Sequence, residues 1–234
     1  TKIVYFILLA HLPVIMFLLP MGYDTQSFAI GASVVVAAVA SAAYFTLRGT
    51  RLFGVLSGVL FMTLSAIMIQ TQMGRIEMHF HIFGALALLL IYRDWLTIVT
   101  AAAVIAVHHL LFTALQLNDA QLAGMPVMLF NYGCSWGITF LHAAFVVFES
   151  AFLIYYAMMM KKEEVTGLQL IAAVTQIQKE NDLSVRIPGE DKNTVALAFN
   201  NMITKFDHLI SDLRDATGRL TAMSADLMSV SQDT

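Results

Sequence analysis

Histidine is the residue type with the most chemical potential in this chain, because six of its seven histidines fall inside long apolar segments. These six are His11, His79, His81, His108, His109 and His142. Neutral imidazole is the commonest metal ligand in proteins, and it binds haem iron as well as copper, zinc or iron ions. Ionisable side chains in membrane-spanning helices are costly and usually face the interior of a bundle. The histidines therefore indicate a cofactor or metal site within a membrane bundle.

Two kinds of site fit these histidines. Small residues let a flat macrocycle approach a helix, and Ala106 precedes His109 while Ala143 follows His142, which favours haem b. Two facing histidines suffice for a haem, whereas a bare ion needs three or four converging groups. Small residues also simply allow close packing of membrane helices. We expect haem b with all six histidines as candidate ligands. The alternative is copper or another transition-metal ion, with the candidate ligands His79, His81, His108, His109 and His142.

Neighbouring histidines on one helix do not point the same way. His79 and His81 project about 200° apart, and His108 and His109 about 100° apart. We therefore expect at least one ligand from each pair, with the other member packing in the bundle or supporting a ligand. One haem with spare histidines, two haems and a polynuclear ion site all remain open.

The other histidines also have structural interpretations. His11 stands alone in its segment, as an interhelical hydrogen-bond donor often does. Glu149 follows His142 by two helical turns on the same face and is a candidate partner for its ring. His208 falls in a polar segment, where we expect it to be solvated. A receptor for a hydrophobic small molecule, with purely structural histidines, is a further alternative.

Composition divides the chain between two environments. The 234 residues are 59% hydrophobic and 12% charged, with a mean hydropathy of +0.75, whereas a soluble domain carries about 25% charged residues. Most charged residues lie after Lys161. This excludes an ordinary soluble domain and favours a membrane part followed by a water-exposed part. Cys134 is the single cysteine, so an intramolecular disulfide is excluded.

Six stretches approach the roughly 20 apolar residues that a membrane-spanning helix needs. They cover about 3–20, 27–47, 53–71, 77–93, 96–116 and 135–160. Alternate connections carry most of the basic residues, namely Arg48, Arg51, Arg93, Lys161 and Lys162, and Arg75 is the single exception on the other side. The positive-inside rule then places the C-terminal part in the cytoplasm. The longest outer connection, 117–134, is expected to form a short re-entrant or surface segment. The turn at Arg93-Asp94-Trp95 is expected to be a helix cap with an interface anchor.

Heptad spacing appears after the last apolar stretch. Apolar residues alternate in steps of four and three, which is a strong coiled-coil signal. They are Val195, Phe199, Met202, Phe206, Leu209, Leu213, Ala216, Leu220, Met223, Leu227 and Val230. A shorter periodic stretch precedes them at Leu170, Val174 and Ile177. The Pro188-Gly189 connector between the two cannot continue a helix.

This helix–connector–helix segment resembles the HAMP domain. The resemblance rests on residues 181–187, reading Asn-Asp-Leu-Ser-Val-Arg-Ile, and on residues 198–202, reading Ala-Phe-Asn-Asn-Met. It implies a parallel four-helix coiled coil to which each chain of a homodimer gives two helices. The sequence departs from the family in lacking a proline in Glu163–Leu170 and in reading Asp191-Lys192 where an acidic pair is usual.

The flanking parts resemble those of a methyl-accepting chemotaxis protein. Residues 216–227 are similar to the start of its signalling hairpin. Residues 77–81, 92–95, 108–109 and 141–145 look like a histidine-rich multispan sensor module, with His11 in its first span. The resemblance implies a multi-pass chemoreceptor of the bacterial inner membrane, in contact with lipid. It also implies a chemotaxis kinase and a coupling protein as partners, through a part expected beyond residue 234. A membrane oxidoreductase with histidine boxes is the enzyme alternative, but its boxes read HxxxH and HxxHH, whereas only HFH and HH occur here. We therefore expect no enzyme activity, and no binding of nucleic acid.

We therefore expect an all-α membrane protein with three parts. Residues 1–160 form the sensor, a bundle of about six transmembrane helices. Residues 161–212 form the HAMP-like converter, and 213–234 begin the signalling coiled coil. The expected stimulus is redox state, a diatomic gas or a related signal, because no outer connection is long enough to form a domain.

Overall fold

The computed structural model describes residues 1–189 and 193–232. The chain divides into two compact units, Thr1–Lys161 and the part from Lys162 onward. The Asp191-Lys192 pair and the side chain of Val230 lie outside the described part. Each unit is built mainly of helices.

The first unit contains the apolar helices. They are α1 (Lys2–Pro13, continued by a π turn at Val14–Leu18), α2 (Gln26–Leu47), α3 (Arg51–Thr71), α4 (Ile76–Leu88, continued by a 3₁₀ turn at Leu89–Tyr92), α5 (Trp95–Leu117) and the first part of α6 (Trp136–Glu180). Four helices, α2, α3, α5 and α6, are long and apolar enough to cross a membrane. The remaining two are shorter, at Lys2–Leu18 and Ile76–Tyr92. The expectation of an all-α membrane protein is confirmed at this level.

The π turn after α1 follows from Pro13. Proline has no backbone N–H, and its ring crowds the carbonyl four residues earlier. The helix therefore changes its hydrogen-bond spacing at Val14, and Leu19 N–H donates to the Val14 carbonyl at 3.0 Å. The wider turn begins directly after the segment that carries His11.

Helix α3 is the centre of the first unit, which we call the membrane unit (Thr1–Lys161). Within its most apolar window 61% of the residues are buried, against 17% for α6. A Cβ at Gly58 would lie 3.0 Å from the Thr97 carbonyl oxygen, which shows how closely α3 and α5 approach. Phe61 and Leu64 are fully buried on the same helix. In contrast, most residues in the apolar window of α6 are not buried.

The basic turns meet at one end of the unit. Arg51 forms a bidentate ion pair with Asp94, in which Nη2 and Oδ1 are 2.8 Å apart. The Asp94 carboxylate also accepts a hydrogen bond from Leu96 N–H at 3.0 Å, which caps α5. The predicted cap at this turn is confirmed. The pair joins the α2–α3 and α4–α5 connections, so both lie at the same end of the bundle.

The second unit contains the rest of α6, a connector and α7 (Thr194–Gln232). Asn193, just before α7, donates from Nδ2 to Thr166 Oγ1 at 2.7 Å, so the connector returns to a point well before α6 ends. The two helix segments of this unit therefore run in the same direction. Asn200 holds the connector by accepting from Ile187 N–H at 2.9 Å and donating to its carbonyl at 3.0 Å. The predicted helix–connector–helix order is confirmed.

A small core joins these two segments. It is made of Ala173, Ile187, Ala196, Phe199 and Ile203. Further along α7, the apolar heptad positions from Phe206 to Leu227 are exposed, with Leu213 67% and Leu220 70% accessible. Within this single chain the apolar stripe of α7 is therefore largely uncovered.

Candidate functional site

The structure separates the six membrane histidines into two groups. His79 on α4, His109 on α5 and His142 on α6 form a triangle of rings, which we call the imidazole triangle. His108 lies beside it, against His109. His11 on α1 and His81 on α4 form a separate pair, with ring centres 5.0 Å apart.

The imidazole triangle has the dimensions of a metal site. Its ring centres are 5.5 Å apart for His79 and His109, 5.4 Å for His79 and His142, and 6.4 Å for His109 and His142. The point equidistant from the three centres is about 3.4 Å from each, and a metal–nitrogen bond of 2.0–2.1 Å would put a ring centre about 3.2 Å from the ion.

Backbone carbonyls set the tautomer of all three rings. The Nδ1 atoms of His79, His109 and His142 lie 3.2, 3.0 and 2.9 Å from the carbonyl oxygens four residues earlier. A carbonyl can only accept, so each Nδ1 carries the proton and each Nε2 keeps its lone pair. This is the arrangement in which helical histidines serve as metal ligands through Nε2. His79 Nε2 is buried and has no hydrogen-bond partner in the described structure.

A phenylalanine ring caps one face of the triangle. Phe130 is fully buried, with its ring centre 5.4, 6.2 and 4.8 Å from those of His79, His109 and His142. These distances place the Phe130 ring centre about 4.4 Å from the point equidistant from the three imidazoles. Tyr132 completes this side, with its hydroxyl 3.4 Å from His142 Nε2.

Two glutamines hold the segment that carries Phe130. Gln116 Oε1 accepts from the backbone N–H groups of Leu129 and Phe130 at 2.7 and 3.1 Å, and its Nε2 donates to the Phe130 carbonyl at 2.8 Å. Gln70 similarly donates to the Pro126 carbonyl at 2.8 Å and accepts from Met128 N–H at 3.1 Å. Both glutamines come from the ends of apolar helices.

A glycine makes room for the same segment. Gly74 has φ +76°, and a Cβ there would lie 2.9 Å from backbone atoms of Leu129 and Phe130. The Gly74 carbonyl also accepts from Asn131 N–H at 3.1 Å. A hairpin of two short strands, β1 (Gln121–Leu122) and β2 (Met125–Pro126), precedes the segment. The connection 117–134 is expected from the sequence to be a re-entrant or surface segment, and its hairpin is largely exposed. Val127, Leu129 and Phe130, in contrast, are buried against the bundle, and we call residues 127–132 the cap loop.

The second group differs in its hydrogen bonding. Ser65 donates its hydroxyl to the Phe61 carbonyl at 3.0 Å, so its oxygen accepts from His81 Nδ1 at 2.8 Å. His11 Nδ1 donates to the Ile7 carbonyl at 2.7 Å. These two rings share an edge-on contact at 74°, and no third histidine contacts them among the described residues.

The remaining expected site residues lie outside the triangle. His108 packs on Phe112 at 4.1 Å, and its Nδ1 is 3.5 Å from that of His109. His142 Nδ1 bonds the Ile138 carbonyl rather than Glu149, the partner suggested by helical spacing. His208 is exposed on α7. His108 therefore lies beside the triangle, and Glu149 is not the hydrogen-bond partner of His142 Nδ1.

Sequence reasoning missed the residues that cover the triangle, namely Phe130, Gln116, Gln70, Gly74 and Tyr132. One signal for them is present in the sequence. Gln70 and Gln116 are polar side chains near the ends of apolar stretches, and such residues in membrane segments commonly bond to neighbouring backbone. The position of Phe130 has no comparable signal.

The distances between the three ring centres fit a shared metal ion, but the side chains as they stand are not arranged to hold one. In the part of the chain that the structure describes, no three or more histidine, cysteine, aspartate or glutamate side chains are arranged to hold a metal ion as they stand. Because the ring centres already have the right spacing, ion binding requires the rings to turn toward a common point.

Haem b fits less well in the same place. Ring centres 6.4 Å apart match two axial ligands, because metal–nitrogen bonds of about 2 Å on opposite faces of an iron would give about 6.3 Å. The His79 and Phe130 rings, however, lie about 4.5 Å from the midpoint between His109 and His142, in the region that the porphyrin would fill. Haem b would require both rings to move.

Comparison with known proteins gives no relative. No family model matches the chain, and no curated protein or solved structure is significantly similar to it.

Proposed function

We propose that this protein is a transmembrane signal transducer in which His79, His109 and His142 bind one transition-metal ion. The supporting observation is the convergence of three imidazoles from three helices, with their Nδ1 atoms anchored on backbone carbonyls. Copper, zinc and iron are the ions that imidazole ligands suit. The ion supplies a coordination centre that a small ligand or an electron can change. The protein supplies the three donors, the Phe130 cap and the helices that respond.

Helix α6 is the element suited to carry the response. It holds His142 and runs from Trp136 to Glu180, so its residues belong to both units. Its membrane part is also the least buried of the four long apolar helices. A ligand needs only differential affinity for two arrangements of such a helix, worth a few kcal/mol, to shift their populations.

The second unit is the proposed output. We propose that it is a HAMP-type converter that dimerises through the exposed apolar stripe of α7, because an apolar surface of this length requires a partner. The arginines Arg48, Arg51 and Arg93 in the two turns at this end support a location in the bacterial inner membrane with the C-terminal part in the cytoplasm. A chemotaxis kinase and coupling protein are the proposed downstream partners, and the protein itself is proposed not to be an enzyme.

Haem b is the second candidate cofactor, favoured by the 6.4 Å separation of the His109 and His142 rings. In that case His109 and His142 would hold the haem, and the rings of His79 and Phe130 would have to move away from the space between them. The two candidates differ in an observable way, because only haem gives an intense absorption band in the visible region.

Elemental analysis of the purified full chain tests the ion proposal. We expect one copper, zinc or iron ion per chain in the wild type and in the His208→Ala control, and less than a tenth of that in His79→Ala. The His11→Ala variant, also within the membrane unit, should keep the ion. Equal metal content in all four proteins would overturn the proposal, and a haem absorption band lost in both His109→Ala and His142→Ala would replace the ion with haem b.

A further inference from the structure

A cavity opens beside the imidazole triangle. It has a volume of about 170 Å³ and lies between α5 and α6, where His109 and His142 form part of its wall. Alanines provide the space, with Ala102 and Ala106 on α5 and Ala143 on α6. The sequence analysis connected the alanines beside these histidines with a flat macrocycle. The structure shows that they surround a much smaller space.

The wall of the cavity is almost entirely apolar. Apart from the two imidazoles and Thr139, the side chains around it are aliphatic or aromatic. The Thr139 hydroxyl is already paired with that of Thr113 at 2.6 Å. An engineered apolar cavity of about 150 Å³ in the interior of a protein stays free of water and takes up xenon or benzene. Drug-sized ligands need pockets of about 300–1,000 Å³. Size and chemistry therefore select a small uncharged molecule.

The cavity is reached from the membrane side. Leu110, Phe140 and Val147 line it, and they are 43%, 61% and 68% exposed on helices that are apolar enough to cross a membrane. The cap loop covers the triangle through Phe130 from another direction. A molecule dissolved in lipid can thus reach His109 and His142 between α5 and α6.

We propose that this cavity binds a small apolar molecule, from the size of a diatomic gas to that of benzene, which enters from the lipid and comes to rest against His109 and His142. This inference rests on the proposed function, because binding next to two ligands of the ion is what would make the molecule a stimulus. The cavity itself is a property of the two helices and does not depend on the ion.

Xenon is the probe for the test, because it is apolar, small and detectable by nuclear magnetic resonance. Metal-free wild-type protein in nanodiscs should shift the xenon resonance saturably, above the linear contribution of empty nanodiscs. Ala143→Phe fills the cavity and should abolish the saturable part. The matched control is Ala144→Phe, the same change at the next residue, which is exposed and does not line the cavity. It should retain xenon binding.

A second pair of variants guards against misfolding in α6. Ala102 lines the cavity on α5, whereas Ala103 is exposed beside it. Ala102→Phe should lose saturable xenon binding and Ala103→Phe should keep it. Equal shifts in wild type and both members of each pair would overturn the proposal, as would loss of binding in both members.

Metal content measured on the same variants separates this proposal from the proposed function. If the protein binds xenon saturably but takes up no ion at the triangle, the cavity proposal is supported and the ion proposal is overturned. If wild-type protein binds the ion but shows only linear xenon uptake, the ion proposal is supported and the cavity proposal is overturned.

Discussion

His79 and His81 lie on the same helix, two residues apart, yet their surroundings differ. His79 meets two further imidazoles and a phenylalanine cap, and its Nε2 is buried without a partner in the described structure. His81 bonds to Ser65 and meets one other imidazole, that of His11. The two histidines share residue type, helix and nearly the same depth, so the number of imidazole rings around each one is what distinguishes them.

Loss of a ligand is the largest effect that this comparison predicts. His109→Ala should weaken binding of the ion by more than the roughly 10- to 100-fold that is usual for changes around a metal ligand, while His81→Ala should change it less than threefold. Competition with a chelator of known affinity measures both variants. The separation into two groups would be wrong if both substitutions weakened binding equally.

Closing the space at Gly74 should have the next largest effect. Gly74→Ala adds both left-handed strain and a contact with the cap loop, and we expect a loss of stability of about 1–3 kcal/mol. Gly124→Ala is the matched control, because Gly124 has φ +82° with nothing within 4 Å of its Cβ position. Thermal unfolding in detergent measures both. A larger loss at Gly124 would contradict the proposed close packing of the cap loop.

Removing the Gln116 amide should loosen the cap while leaving the ligands in place. Gln116→Leu leaves the Leu129 and Phe130 N–H groups without their acceptor, and each unpaired buried group costs about 1–3 kcal/mol. We expect the exchange of these two amide hydrogens to accelerate at least tenfold, with little change after Gln121→Leu in the exposed hairpin. Unchanged protection in Gln116→Leu would show that other contacts hold the cap loop.

The smallest effect concerns the end of the unit away from the triangle. The Arg51 guanidinium hydrogen-bonds the Asp94 carboxylate and lowers the pKa of that group. Because the pKa of Asp94 is lower in the folded state than in the unfolded state, its carboxylate stabilises the fold when the pH is above the unfolded-state pKa. This stabilisation is lost as the pH falls through the folded-state pKa. Because Arg51 is 60% exposed, Asp94→Asn should cost less than about 1 kcal/mol at neutral pH.

Unfolding measured from neutral to acidic pH checks this prediction. The difference between wild type and Asp94→Asn should shrink as the pH falls below 4, since asparagine keeps the cap and both proteins then lack the ion pair. In an Arg51→Gln background the same substitution should have almost no effect. A constant difference over the whole range would contradict the assigned pKa direction.

Much of the membrane unit could be predicted from the sequence. Apolar stretches predicted the helices, and the basic residues Arg48, Arg51 and Arg93 predicted that two turns lie at the same end of the bundle. The roughly 200° between His79 and His81 on a helix already separates them onto two faces. What this angle leaves open is which helix lies on each side, because membrane helices pack through small residues that occur on several faces.

The position of the cap loop could not be predicted from the sequence, for a different reason. Phe130 lies in a connection that forms six hydrogen bonds with the side chains of Gln70 and Gln116. Each of these glutamines is distant from the loop in sequence or belongs to another element, so no periodic pattern links them. Polar residues in apolar stretches indicate that a hydrogen-bonding partner exists, but the sequence does not show which group that partner is.

X-ray absorption spectroscopy at the edge of the bound metal tests the three-imidazole site most directly. In the wild-type full chain we expect three imidazole nitrogens at about 2.0–2.1 Å from the ion, and in His142→Ala one imidazole fewer. A spectrum with the four in-plane nitrogens of a porphyrin, or one that is unchanged by His142→Ala, would contradict the proposed site.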